Sequence, residues 1–152
     1  MSNLPEDALK DPLEGFLGYQ LRRVSAVSMA QLASALAEEK FSPVAATVLL
    51  MIETNPGETQ ARIGRALAIQ RANIAPLIAK LENDGLVKRT ISDGRSYGLT
   101  CTPQGKAAAK RIKSVMTRHE DNAFQTLSAD EQKKLFGLLI KARQAPSTAK
   151  GE

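Results

Sequence analysis

The sequence predicts a mainly α chain with one small β-hairpin, and three features carry that expectation. Ala and Leu are abundant, Trp is absent and aromatic residues make up 4% of the chain, a composition suited to helices. Apolar residues recur at helical spacing through six stretches. Only Val87–Ile91 and residues 96–101 have strand character, and Asp93-Gly94 between them supplies a tight turn.

In chain order, residues 1–12 are a polar arm carrying Pro5 and Pro12, expected to be loose. From Leu13, the residues Phe16, Leu17, Leu21, Val24, Val27, Leu32 and Leu36 form a helical stripe to about Glu39. Phe41-Ser42-Pro43 starts a second helix, with Ser42 as N-cap and Pro43 in the first helical position. Its body, residues 44–52, is apolar on nearly every side and should be buried, until Asn55-Pro56-Gly57 stops it. A short helix over residues 59–66 starts at Thr59, and a longer one over residues 70–84 follows. Pro76 lacks a backbone donor, so that helix should begin late or bend slightly. Asn83-Asp84-Gly85 ends it. After the hairpin, Thr102-Pro103 caps a fifth helix whose stripe is Ala108, Ile112, Val115, Met116, His119 and Ala123. Ser128-Ala129-Asp130-Glu131 is a capping box that opens the last helix, through Leu135, Phe136, Leu138, Leu139 and Ile140. From Gln144 the tail is polar and contains Pro146.

The net charge of +5 is unevenly spread. Residues 1–59 hold four Lys/Arg against eight Asp/Glu, residues 60–95 seven against three, and residues 96–152 ten against five. An acidic front and a basic remainder point to a surface that meets an anion, of which nucleic acid is the commonest large one. A solvated mixed surface is the plain alternative. The single Cys excludes an intrachain disulfide and fits a reducing cytoplasm. No run approaches membrane-spanning length, and the start lacks the basic and apolar regions of a signal peptide. A cytoplasmic protein with no membrane partner is expected.

Two helices joined to a basic hairpin make a winged helix-turn-helix, which lays its second helix in the DNA major groove. On that helix Ile74, Leu77, Ile78 and Leu81 mark the buried face, leaving Arg71, Asn73 and Lys80 exposed and Gln70 at its mouth. Arg can fork onto guanine, and Asn or Gln onto adenine. Arg62 and Arg65 on the preceding helix, with Lys88 and Arg89 at the wing base, suit phosphate contacts that position the protein. Arg95 at the wing tip can enter a narrow A·T minor groove, oriented by Asp93. For each, the plain alternative is an ordinary solvated side chain.

Three motifs in order resemble the MarR family of transcriptional regulators. They are Leu81-Glu82-Asn83-Asp84-Gly85-Leu86-Val87-Lys88-Arg89, then Asp93-Gly94-Arg95, then Thr102-Pro103-Gln104-Gly105. The resemblance covers essentially the whole chain, with two departures: a short wing and Pro76 inside the recognition helix. It implies a homodimer built by the first and last helices, binding a pseudo-palindromic operator in double-stranded DNA. Half-sites would lie about 34–36 Å apart. The apolar surface on the terminal helices, including Phe136 and Leu138-Leu139-Ile140, fits a dimer independently. The implied division is an arm (1–12), a helical dimerisation region (13–40 and 103–144), a winged helix-turn-helix lobe (41–102) and a tail (145–152).

The resemblance further implies a repressor released by a small-molecule effector, an aromatic acid or an acyl-CoA thioester. Residues 13–23 are also similar to regulators of hydroxycinnamate catabolism, which implies a hydroxycinnamoyl-CoA as one such effector. Candidates to line the site are Tyr19, Arg22 and Arg23 on the first helix, Met51 on the second and His119 on the fifth. The Arg pair suits a carboxylate or phosphates, with Tyr and Met beside an aromatic ring. Alternatively, His119 is a satisfied core residue, and Arg22 and Arg23 pair with Glu38 or Glu39, or with acids across the dimer. Peroxide-sensing members of the family use a reactive Cys near the N-terminus, whereas Cys101 sits on the returning wing strand, facing inward and inert.

An enzyme is the first competing class. One His and one Cys leave no His-rich metal centre, and neither a Gly-rich phosphate loop nor a nucleophile–base pair is visible. No cofactor is expected. A metal-sensing repressor would need clustered ligands. A winged helix used for protein–protein contact, or for non-specific DNA binding without an effector, is the remaining alternative.

Overall fold

The computed structural model describes residues 9–91 and 97–144. Its elements are α1 (Leu17–Glu38), α2 (Pro43–Thr54), β1 (Glu58–Thr59), α3 (Gln60–Ala66), α4 (Arg71–Asn83), β2 (Val87–Ile91), β3 (Tyr97–Cys101), α5 (Pro103–Ala123) and α6 (Ala129–Arg143). The wing turn Asp93-Gly94, with Arg95 and Ser96, lies outside the described residues, as do most of the arm and the tail beyond Gln144.

The helix starts follow their local signals. Ser42 Oγ accepts the Ala45 N–H at 3.2 Å, Thr59 Oγ1 the Arg62 N–H at 3.3 Å, and Thr102 Oγ1 the Gly105 N–H at 3.0 Å. Ser128 and Glu131 cap each other reciprocally. Each such cap stabilises by about 1 kcal/mol. The first helix begins at Leu17 rather than Leu13, because Asp11 accepts the Leu13 N–H at 2.9 Å and the Leu13 carbonyl accepts the Phe16 N–H at 2.9 Å. That turn absorbs the residues expected in the first helical turn.

Three helices end in the same way. After α4, Gly85 takes φ +71°, its N–H bonds the Glu82 carbonyl, and the Leu86 N–H bonds the Leu81 carbonyl. This is a Schellman end, with Leu86 and Leu81 both in the core. Lys40 (φ +63°) and Ala68 (φ +54°) do the same work after α1 and α3 without being glycine. Helix α4 runs unbroken through Pro76, and the expected delay amounts to one residue, Gln70 serving as N-cap. Ala72 and Pro76 are exposed, so water can meet the Ala72 carbonyl that Pro76 leaves without a donor.

The expected hairpin is part of an antiparallel sheet of order β1-β3-β2. Val87 to Ile91 pair with Cys101 to Tyr97, and on the other side Glu58 and Thr59 pair with Leu99 and Gly98. The core runs from Leu36 through α2 and α4 to Val87, Leu99 and Ile112. It is therefore continuous between the winged lobe and α5. Helix α2 buries Ala45, Ala46, Val48, Leu49 and Ile52, but Val44 stays 48% exposed, an exception to the buried body expected there. At the base of α5 a side chain on Gly105 would overlap the Leu86 carbonyl oxygen, while Thr102 Oγ1 donates to the Gly85 carbonyl at 2.7 Å. The motifs at residues 81–89 and 102–105 thus interlock in space.

Candidate nucleic-acid interface

Helix α4 turns Ile74, Ile78 and Leu81 into the core, with Leu77 half-buried. That rotation leaves Arg71 and Asn73 exposed at its N-terminal end, with Gln70 beside them. A cleft of about 530 Å³ opens between α3, the mouth of α4 and the sheet, lined by Arg65, Arg71, Arg89 and Tyr97 among others. Three of the sequence candidates therefore converge on one concave, cationic surface.

The remaining candidates are placed differently. Arg62 pairs with Glu58 at 2.8 Å and lines a separate small cavity with Met51. Lys80 pairs with Asp84 at 2.8 Å near the far end of α4. Lys88 and Arg89, adjacent in sequence, lie on opposite faces of the sheet, since side chains alternate along a strand. Lys88 lines a cavity with Thr90, Glu53 and Lys106, whereas Arg89 lines the arginine cleft. Arg89 is held by Glu82 through two hydrogen bonds, of 2.8 and 3.0 Å. The Glu82 hydrogen bonds keep the guanidinium pKa above its ordinary value. Arg95 falls outside the described residues.

The five effector candidates do not line one cavity. Tyr19 donates to Asp11 Oδ2 at 2.6 Å, and Arg23 lies 3.6 Å from the same carboxylate and 5.7 Å over the Tyr19 ring. The Tyr19 hydroxyl, then the Leu13 N–H, hold the Asp11 carboxyl below its usual range. Arg23 thus pairs with Asp11 rather than with Glu38 or Glu39, and Glu39 is taken by Arg111 at 2.9 Å. Arg22 makes no ion pair among the described residues. Arg23 lines a cavity of about 540 Å³ between α1 and the end of α5, with Val24, Val27, Ser28 and Phe124. His119 is buried, bonded to Ser28 at 3.1 Å, and lines a neighbouring cavity of about 460 Å³. Met51 belongs to the Arg62 cavity, away from both.

Cys101 is buried against the Leu49 carbonyl, and burial pushes its thiol pKa up, with Glu53 adding to the effect. No group of three His, Cys, Asp or Glu side chains among the described residues could hold a metal ion. No described helix is long and apolar enough to cross a membrane.

An exposed recognition helix, a short supporting helix and a three-stranded wing sheet define a winged-helix DNA-binding protein. Known proteins agree with that class. Residues 40–96 match the sequence profile of the MarR family. A regulatory protein assigned to the hcr operon of Thauera aromatica is 33% identical over 84% of this chain and 78% of that protein. The transcriptional repressor Rv2887 of Mycobacterium tuberculosis is 31% identical over 82% of this chain and 91% of its own length. Among solved structures, the repressor CouR bound to a 23-mer DNA duplex superposes with TM-score 0.83 at 33% identity, covering 90% of this chain and 99% of that one. CouR bound to p-coumaroyl-CoA gives TM-score 0.80 at 32% identity, covering 91% and 100%. Rv2887 in complex with salicylic acid gives 0.70 at 30% identity, covering 91% and 99%. The chain belongs to the MarR family of transcriptional regulators.

Proposed function

We propose that the protein is a homodimeric repressor that reads a pseudo-palindromic operator with α4 and is released by an aromatic acid or an acyl-CoA thioester, a hydroxycinnamoyl-CoA being one instance. The observation that carries this reading is the cleft where Arg65, Arg71 and Arg89 converge beside the exposed Arg71 and Asn73 at the start of α4. Arg71 and Asn73, with Gln70, contact base edges. Arg65 meets phosphate, and Lys88 and Arg62 lie further from the groove, so their contributions are smaller. Lys80 is a solvated residue paired to Asp84, and Arg95 on the wing reaches the minor groove.

The dimer is supported by α6, which buries none of its residues while exposing Phe136, Leu138 and Leu139. Helix α1 exposes Leu17, Leu21, Val24 and Val27 in the same way, with Phe16 at its N-cap. The division into a terminal-helix dimerisation region (13–40 and 103–144), a winged lobe (41–102), an arm and a tail follows from this assembly. The effector site is supported by the Arg23 cavity, which offers a guanidinium, Tyr19 behind it and the Phe124 ring, and by the ligands carried by CouR and Rv2887. His119 and Ser28 bridge α1 and α5 beside it, so an effector there pries on the helices that set the spacing of the two α4 helices. An effector shifts that spacing only by binding the released state more tightly, and about 1–3 kcal/mol of coupling gives roughly five- to 150-fold derepression. The reading includes no catalytic step and no cofactor, and it places the protein in the cytoplasm with its DNA.

Selection from randomised duplexes at about physiological salt, followed by competition with aromatic acids and their CoA thioesters, tests it. The expected result is a palindromic motif lost on adding one compound. A motif insensitive to every compound removes the effector, and no enriched motif removes the repressor.

A further inference from the structure

Tyr97 opens β3 and is 61% exposed, one of only two Tyr in a chain without Trp. Its cross-strand partner Ile91 is 76% exposed, so the outer end of the sheet presents an apolar pair to solvent. Strand alternation puts Tyr97 and Ile91 on the same face as Arg89, and that face lines the cleft with Arg65 and Arg71. The exposed Tyr97 side chain lines the cleft and can turn its hydroxyl to a ligand there. The cleft therefore combines fixed positive charge with an uncharged donor and an apolar rim. A phosphodiester with its sugar matches both halves: anionic oxygens for the arginines, and an apolar sugar face for the ring.

We infer that Tyr97 is a neutral contact to the DNA backbone, its hydroxyl donating to a phosphate oxygen whose charge Arg65 neutralises. The ring and Ile91 lie against the adjoining deoxyribose. The inference rests on the DNA-binding reading of the cleft and deepens it. A neutral donor fixes the register of the protein on the duplex but releases no counterion of its own. It is thus separable from the arginines by its salt dependence. Charge and helical period, the signals that pick out Arg71 or Arg65, are blind to such a residue.

The test uses the full chain, a duplex enriched from a randomised pool by the wild-type protein, and fluorescence anisotropy across a salt series. Tyr97→Phe keeps the ring and removes only the donor, so folding is preserved, as circular dichroism can verify. It should weaken binding roughly 5–150-fold, the effect of one hydrogen bond in each of the two subunits, with the slope of log affinity against log salt unchanged. Tyr97→Ala should weaken it further. Arg65→Ala is the control and should reduce the slope by about two phosphates' worth, one for each subunit. Wild-type affinity for Tyr97→Phe overturns the inference, even if Tyr97→Ala is weak, because the ring would then serve only as a brace. If Arg65→Ala also binds like wild type, the cleft reading falls with it, a failure distinct from that of Tyr97 alone. Methylphosphonates scanned along the duplex in symmetric pairs, one in each half-site, complete the test: at one such pair the Tyr97→Phe loss should vanish, and its persistence at every pair counts against a phosphate partner.

Discussion

Arg89 on β2 and Glu82 near the end of α4 form a two-pronged ion pair that ties the recognition helix to the wing. The planar guanidinium and carboxylate fix each other's orientation as well as their distance. With 44% and 25% of the side chains exposed, the pair adds less than about 1 kcal/mol to stability. Its effect on DNA binding has opposite signs in two cases. If Arg89 were mainly a phosphate contact, Glu82→Ala would free its charge and tighten binding. If the pair braces the wing against α4, the same change loosens the wing and weakens binding. The expected outcome is weakening, about 3–10-fold by anisotropy, with partial recovery in the charge-reversed pair Glu82→Arg with Arg89→Glu. Tighter binding by Glu82→Ala would return Arg89 to the phosphate contacts.

That pair marks a boundary of what the sequence makes legible. The starts of α2, α3, α5 and α6 are local matters, decided by Ser42, Thr59, Thr102 and Ser128 within one turn, and they are readable. Strand β1 is not, because two residues carry no period and become a strand only by pairing with Leu99 and Gly98. The late start of α1 depends likewise on Asp11 bonding back into the chain. In the site, the exposure of Arg71 and Asn73 follows from helical period. Alternation along β2 separates Lys88 from Arg89, a distinction that charge alone misses. The effector candidates fare worst: Arg23, His119 and Met51 belong to three cavities, and which of them meet is decided by packing between α1, α2 and α5.

Ala68 makes the turn of the helix-turn-helix at φ +54°, donating its N–H to the Arg65 carbonyl at 3.2 Å. An L side chain in this region costs about 1–2 kcal/mol. Glycine removes that cost but loses about 0.5–1 kcal/mol of chain entropy on folding. Ala68→Gly should therefore stabilise the protein by about 0.5–1 kcal/mol and raise the melting midpoint by roughly 1–3 °C. Ala68 is exposed, so DNA affinity should stay within about twofold, since it is not among the residues lining the cleft. A lower midpoint would mean that the methyl group contributes packing that outweighs its strain.

Asp11 and Tyr19 predict how the turn leading into α1 responds to pH. The Tyr19 hydroxyl holds the Asp11 carboxyl below its ordinary 3.8, so this contact contributes stability above 3.8 that is lost as pH falls through the lower folded value. Tyr19 is pushed above 10.0 mainly by its hydrogen bond to Asp11, so its contribution is present below 10.0 and lost as pH rises through the folded value. The turn at residues 11–16 is thus anchored throughout the neutral range and loosens only at the extremes. In a Tyr97→Phe background Tyr19 is the sole phenol, and near-ultraviolet absorbance follows it directly. Asp11→Asn should bring its titration down toward 10.0. An unmoved titration would show that Asp11 is not its partner in solution.

Helix α6 is well capped and yet buries nothing within one subunit, while Phe136 is 68%, Leu138 56% and Leu139 43% exposed. Such a surface needs a partner, and the exposed stripe of α1 offers one of the same character in a second subunit. Leu139→Lys places a charge where the dimer reading requires apolar contact, and desolvating it there is costly. Sedimentation should show a shift from dimer toward monomer. Because a monomer reads one half-site and forfeits the linkage between two, operator affinity should fall on the order of 100-fold. Lys133→Ala on the same helix serves as the control and should change neither. A Leu139→Lys protein that remains dimeric with full affinity would take α6 out of the interface and leave α1 to supply it.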